Sequence, residues 1–188
     1  RRFRAVGATG VIDGRPAVFL DRDGTINKER GYITTRADLG LLAGAGEAIR
    51  RLNEAGIPVH VFTNQAGIAR ALYTEEELAD IHKCLRWMLS EEGAEVGSIY
   101  YCPHHPAGTV PEFSRDCDCR KPNPGMLLLA QQEHGLSLEE SVLIGDKETD
   151  IEAGARAGVA TTILVCAESE RETKADCMVT SIRELPKL

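Results

Sequence analysis

The sequence predicts an α/β fold: a mainly parallel sheet with helices on both faces, making three layers. Two observations carry this. Short apolar, strand-like runs alternate with helical periods along the chain, the pattern that builds parallel sheets. The 188 residues also fit one domain and suffice to bury a substantial core. In such sheets the ligand site lies beyond the carboxyl ends of the strands, so the polar residues at each strand end are the first to inspect.

Residues 17–20 (Ala-Val-Phe-Leu) read as a buried first strand. Asp21 and Asp23 stand at its end, facing one way if the backbone stays extended, and Gly24 supplies the turn out of the strand. Residues 26–42 lack a sustained period and contain Gly31-Tyr32, which predicts a long loop at the same end of the sheet. A helix follows over 44–55, with Ala45, Ala48, Ile49, Leu52 and Ala55 as its apolar stripe and Gly56 closing it. Residues 57–62 predict a second strand that leads into Thr63-Asn64-Gln65-Ala66-Gly67. Thr74 and Glu77 form a capping box for a helix that carries Leu78, Ile81, Leu85 and Leu89 and stops near Gly93.

A third strand spans 98–101. Residues 102–119, with Pro103, Pro106, Gly108 and Pro111, show no period. Asn123 and Pro124 suit the N-cap and first position of a helix through Met126 and Ala130 to Gly135. Residues 141–144 form a fourth strand closing on Gly145-Asp146-Lys147-Glu148-Thr149-Asp150, and a short helix runs on to Gly158. Residues 161–165 are a fifth strand, Met178-Val179 adds a sixth, and Ser181 with Glu184 caps a last short helix. Residues 1–15 read as a flexible, solvated tail and 16–188 as the single domain.

Composition narrows the classes. A hydrophobic fraction of 43% and a charged fraction of 27% describe a soluble globular chain. The net charge of −7 argues against nucleic-acid binding through a broad basic surface. No apolar run is long enough to span a bilayer. Arg1-Arg2-Phe3-Arg4 is not followed by a continuous apolar stretch, which predicts no secretory signal and a cytoplasmic protein. The first residue is not Met, so the start is expected to lie upstream or to have been processed. Nothing demands more than a monomer. Of the six cysteines, Cys84, Cys166 and Cys177 read as small core residues. Cys102, Cys117 and Cys119 cluster with histidines.

Asp21/Asp23, Thr63, Lys121 and Asp146 with Asp150 all fall at strand ends, where the topology converges them. Oxygen ligands around one small hard cation describe a Mg²⁺ site that works with substrate phosphate. A hydroxyl and an ammonium can hold the oxygens of a transferring phosphoryl group. One carboxylate is free to attack phosphorus, and another can give and take the proton. Separately, Cys102-Pro103-His104-His105 and Cys117-Asp118-Cys119 offer two Cys/His pairs, the four ligands of a closed structural zinc site. His104 or His105 can be the fourth ligand, and a disulfide from Cys102 to Cys117 or Cys119 is the alternative. Zinc would fix a Pro-rich loop that has no core of its own, and with it Arg120 and Lys121 directly after.

Asp21-x-Asp23-Gly24-Thr25, Thr63 after a strand, Lys121 and Gly145-Asp146-x-x-x-Asp150 together resemble the haloacid dehalogenase (HAD) superfamily of phosphatases. The resemblance implies a Rossmann-like, HAD-like fold, Asp21 as nucleophile and Asp23 as general acid/base. It implies Mg²⁺ on Asp21, the Asp23 backbone carbonyl and Asp146, with Thr63 and Lys121 on the phosphoryl oxygens. Residues 63–70, 100–106 and 117–122 narrow the likeness to the D,D-heptose 1,7-bisphosphate phosphatase family. That likeness implies no separate cap domain, His104 as the zinc ligand, and removal of the 7-phosphate of a heptose bisphosphate on the way to nucleotide-activated heptose for lipopolysaccharide. It also implies substrate contacts from Glu29, Arg30, Gly31, Tyr32, Thr63, Asn64, Gln65 and Ala66, and from Arg120, Lys121 and Lys147. The alternatives are a histidinol-phosphate phosphatase and a catalytically silent, zinc-stabilised binding module. A dinucleotide-binding role is set aside, because no Gly-x-Gly-x-x-Gly follows the first strand.

Overall fold

In the computed structural model, residues 14–168 and 171–187 are described. The tail predicted at the N-terminus lies outside them up to residue 13. Arg15, at the tail's inner edge, pairs with Leu136.

The chain forms β1 (Val18–Leu20), α1 (Ala45–Glu54), β2 (Val59–Asn64), α2 (Glu75–Glu91), β3 (Ile99–Cys102), α3 (Gly125–His134), β4 (Val142–Gly145), α4 (Glu148–Ala157), β5 (Thr161–Val165) and β6 (Cys177–Val179). All strands pair in parallel in the order β3-β2-β1-β4-β5-β6. The order reverses direction beside β1, and that reversal opens the crevice above its carboxyl end. The sheet is the only one among the described residues, so loops rather than a second sheet flank the crevice.

Alternation along β1 divides the core between the two faces. Val18 and Leu20 pack with α1 and α2 through Ala48, Ile49, Ile81, Leu85 and Leu89. Ala17 and Phe19 pack on the other face with Met126, Leu127 and Ala130 of α3 and Ile151 and Ala153 of α4. Both faces and both edges of β1 are covered, so each of its residues is buried.

The structure departs from the sequence reading at four points. β2 runs to Asn64, which places Thr63 within the strand. Asn123 does not cap α3: its side-chain amide donates to Cys117 O at 2.8 Å, and the Pro124 carbonyl accepts the first helical bonds. Ser181 and Glu184 do not form a capping box, because the Glu184 carboxylate takes the Thr180 hydroxyl while Ser181 Oγ accepts from the amide of Arg183. Cys177 is exposed because β6 is the outer strand, so only Cys84 and Cys166 pack partly against the core.

Leu20 is fully buried at the end of β1, while Leu72 is about half exposed. Truncating Leu20 to alanine should cost about 2–5 kcal/mol in urea unfolding, and Leu72→Ala about 0.5 kcal/mol or less.

Candidate active site

Backbone geometry separates the two aspartates of the first motif. The chain leaves extended conformation after Leu20, and the Arg22 carbonyl accepts from the amides of Ile26 and Asn27 in a tight loop. Asp21 therefore points into the buried floor of the crevice. The Asp23 carboxylate turns aside to Arg22, Asn27 and Gln65.

On the floor, Lys121 reaches Asp21 Oδ1 at 2.7 Å and Asp150 Oδ1 at 2.6 Å. Its ammonium also donates to Phe62 O at 3.2 Å and lies 4.3 Å from the Phe62 ring centre. All three ionisable groups are almost fully buried. Burial alone would lower the lysine's affinity for its proton, but Asp150 and Asp21 outweigh it and raise the pKa above the usual value. Lys121 is placed by β2: Asn64 accepts from its backbone amide at 3.1 Å and donates to its carbonyl at 3.2 Å.

Asp21, Asp146 and Asp150 bring carboxylate oxygens within 4.8 Å of one another. Burial, only partly offset by Lys121, pushes the Asp21 pKa up to about 8, and the Asp146 carboxyl is raised for the same first reason. Asp146 Oδ1 is buried without a partner. An unpaired hard oxygen among crowded carboxylates fits a small divalent cation such as Mg²⁺. Two glycines make room for these side chains. A Cβ on Gly24, at φ +86°, would lie 2.2 Å from Asp146 Oδ2, and one on Gly145 would lie 2.4 Å from Asp150 Oδ2.

Asp23 has the opposite character. Burial would raise its pKa, but the charge of Arg22 and bonds from Asn27, Arg22 and Gln65 hold it below the usual carboxylate range.

Above this floor opens a cavity of about 510 Å³. Of the predicted substrate residues, Glu29, Gly31, Tyr32, Asn64, Gln65, Ala66, Arg120, Lys121 and Lys147 line it. Arg30 does not, and Thr63 is buried, with its hydroxyl accepting from Gln65 Nε2 at 2.8 Å. Lys147 bridges the cavity's mouth to Glu29 at 2.7 Å, and Glu29 also accepts from the amide of Gly31. Arg22, Tyr73 and Thr149 line the cavity without having been singled out in the sequence. For Arg22 the available signal was a charged residue set between two motif aspartates. For Tyr73 and Thr149 there was none. A cavity of about 590 Å³ lies beside Tyr73, lined by apolar Ile68, Leu72, Val110 and Phe113 and by the acidic start of α2, and it holds none of the carboxylates described above.

The second predicted constellation also assembles. Sγ of Cys102, Cys117 and Cys119 and Nδ1 of His104 lie within 4.8 Å of one another, and the cysteines are unbonded. The sulfurs stand 3.1–3.4 Å apart, well beyond a disulfide bond. His105 instead accepts from the amide of Ala107. The hydrogen bond from Cys102 draws the Cys119 thiol down to about 5, while that same bond pushes Cys102 up and burial pushes Cys117 up. Three sulfurs and one imidazole nitrogen are the donor set of a soft, tetrahedral metal site.

Residues 118–184 match the HAD-hydrolase-like family model. The chain is 42% identical over 176 residues to the D-glycero-beta-D-manno-heptose-1,7-bisphosphate 7-phosphatase of Yersinia pestis, covering 92% of this chain and 94% of that one. It is 41% identical to the enzyme of the same name from Escherichia coli (strain K12), covering 91% and 92%. The crystal structure of D,D-heptose 1,7-bisphosphate phosphatase from B. bronchiseptica, complexed with magnesium and phosphate, superposes with a TM-score of 0.80 at 28% identity, covering 92% of this chain and 96% of that one.

The raised Asp21 pKa has a measurable consequence. Between the ordinary value of 3.8 and about 8, the folded chain keeps a proton that the unfolded chain has released. The Asp21 contribution to the stability of the metal-free protein should therefore fall as pH rises across that window. Opposing contributions come from His60 and His82, drawn down to about 4 and about 3 by burial, and from Cys119, drawn down to about 5 by its bond from Cys102. Mg²⁺ favours the anion and should flatten the Asp21 slope, and Asp21→Asn should remove it. Thermal unfolding between pH 5 and pH 8, with and without Mg²⁺, reads the effect. A metal-free wild-type midpoint that does not fall relative to that of Asp21→Asn as pH rises would contradict it.

Proposed function

The chain belongs to the D-glycero-beta-D-manno-heptose-1,7-bisphosphate 7-phosphatase family of HAD-like hydrolases, and we propose that it removes the 7-phosphate of that heptose bisphosphate through an aspartyl-phosphate. The observation that carries this reading is the buried Lys121 ammonium shared by Asp21 and Asp150 at the base of a cation-rimmed cavity.

Asp21 is the nucleophile. Its carboxylate oxygen attacks phosphorus, and the bond from phosphorus to the sugar oxygen breaks. That oxygen takes a proton from Asp23, releasing the alcohol. Water then attacks the phosphorus of the aspartyl-phosphate, gives its proton to Asp23 and frees inorganic phosphate, which restores Asp21. The sum is ester plus water to alcohol plus phosphate. Lys121 screens the phosphoryl oxygens from below, and the cations Arg120 and Lys147 at the cavity wall are placed to meet the sugar's second phosphate. Asp21, Asp146 and the Asp23 carbonyl would hold Mg²⁺, which neutralises phosphoryl charge when bound. Thr63 contributes from within β2, through Gln65.

Cys102, His104, Cys117 and Cys119 would hold a structural zinc, closed to water because all four positions are filled by the protein. Zinc there ties the end of β3 to the loop that delivers Arg120 and Lys121. Thiolate ligands suit a reducing compartment, so we place the enzyme in the cytoplasm, acting as a monomer on a small sugar phosphate. No helix among the described residues is long and apolar enough to cross a membrane. The product supplies heptose for nucleotide activation.

Asp21→Asn should abolish Mg²⁺-dependent phosphate release while the circular dichroism spectrum stays unchanged. The wild-type protein should turn over the heptose bisphosphate far faster than histidinol phosphate, whose product carries an amine where the wall presents cations. The reverse preference would overturn the substrate. Elemental analysis should find one zinc per chain, lost in a Cys117→Ser, Cys119→Ser double variant, and zinc retained in that variant would refute the ligand set.

A further inference from the structure

Among the described residues Arg22 is the largest fully buried side chain, and the reaction as described gives it no task. Its Nη2 donates to both oxygens of Asp23, at 3.0 and 2.8 Å, and its Nε reaches Oδ1 at 3.2 Å. The same guanidinium lies 3.2 Å from Gln65 Oε1 and 3.2 Å from His82 Nε2. Gln65 closes the ring: its amide nitrogen donates to Asp23 Oδ2 at 3.0 Å, and its oxygen accepts the Tyr73 hydroxyl at 2.6 Å. Asn27 adds a bond to Asp23 Oδ1 at 2.9 Å. The carboxylate is held from three sides, with 16% of its side chain left open.

Stability alone gives little reason for this arrangement. Desolvating a buried ion pair costs as much as the pair returns, and apolar residues of like volume often serve the fold equally well. What an apolar pair cannot do is fix the plane of a carboxylate. We propose that Arg22 is a positioning residue for phosphoryl transfer, orienting Asp23 through its guanidinium fork, with Gln65 and Tyr73 as an outer brace. The brace is itself wedged: a Cβ on Gly67 would lie 2.2 Å from the Tyr73 ring, so the ring rests directly on backbone. Lysine could not replace the arginine, because one ammonium cannot span both Asp23 oxygens, Gln65 and His82 together.

The inference rests on Asp23 being the acid that protonates the leaving oxygen, and the test separates the two claims. Enzyme in excess is mixed with the heptose bisphosphate or with p-nitrophenyl phosphate, and release of the alcohol or phenol is followed in a single turnover. An alkoxide needs a proton to leave and p-nitrophenolate does not, so lost acid catalysis slows only the sugar ester strongly. Arg22→Met should slow the sugar ester about 100-fold and the nitrophenyl ester about tenfold or less, with Arg22→Lys close behind. Asp23→Asn should show the same split. A split in Asp23→Asn with equal or no losses in Arg22→Met overturns the role of Arg22 alone. No split in Asp23→Asn overturns the acid assignment and this inference with it. If Arg22→Met does not fold, Tyr73→Phe decides: it removes one hydroxyl from the brace and should show the same split at a few-fold, whereas equal effects on both esters overturn the proposal.

Discussion

Lys121 lies at the meeting point of everything that builds the site. Its ammonium is buried between Asp21 from the end of β1 and Asp150 from the first turn of α4, at the base of the cavity. Removing Lys121 would leave two buried carboxylates without a counter-charge, so the lysine holds the central strands and the following loop in one arrangement. The lysine comes directly after the Cys/His loop, and Asn64 clamps its backbone to β2. Cys/His loop, sheet and Asp21 are thus joined around one residue.

That joining also explains the division of labour between the two aspartates. Asp21 sits where charge is crowded and desolvated, beside Lys121, Asp146 and Asp150. Asp23 sits two residues on, among five donor contacts from Arg22, Asn27 and Gln65. Environment rather than residue type separates the two: burial raises the Asp21 pKa, while Arg22 and the bonds around it hold that of Asp23 down.

Much of this was legible in the sequence, because its signals are local. Alternating apolar runs gave six parallel strands, the Thr74/Glu77 box opened α2, and glycines closed α3 and α4. The motif residues assemble because Asp21 and Asp146 directly follow β1 and β4, Asp150 lies in the first turn of α4, and Asn64 of β2 clamps the backbone of Lys121. What escaped was set by nearby hydrogen-bond partners that compete with the expected ones. Asn123 gave up a cap for the Cys117 carbonyl, and Glu184 gave up another for Thr180. The extended backbone assumed for Asp21–Asp23 broke at Arg22, because that carbonyl takes the amides that turn the chain. Tyr73 and Thr149 reach the cavity by folding alone, so no spacing rule could nominate them.

Glycine closes against function at three places: Gly24 under Asp146, Gly145 under Asp150, and Gly67 under Tyr73. At each, one methyl group would occupy the space that the acting side chain now fills. The site is therefore as vulnerable to an added atom as to a lost one, and its tolerance of sequence drift is narrowest where the chain carries no side chain at all.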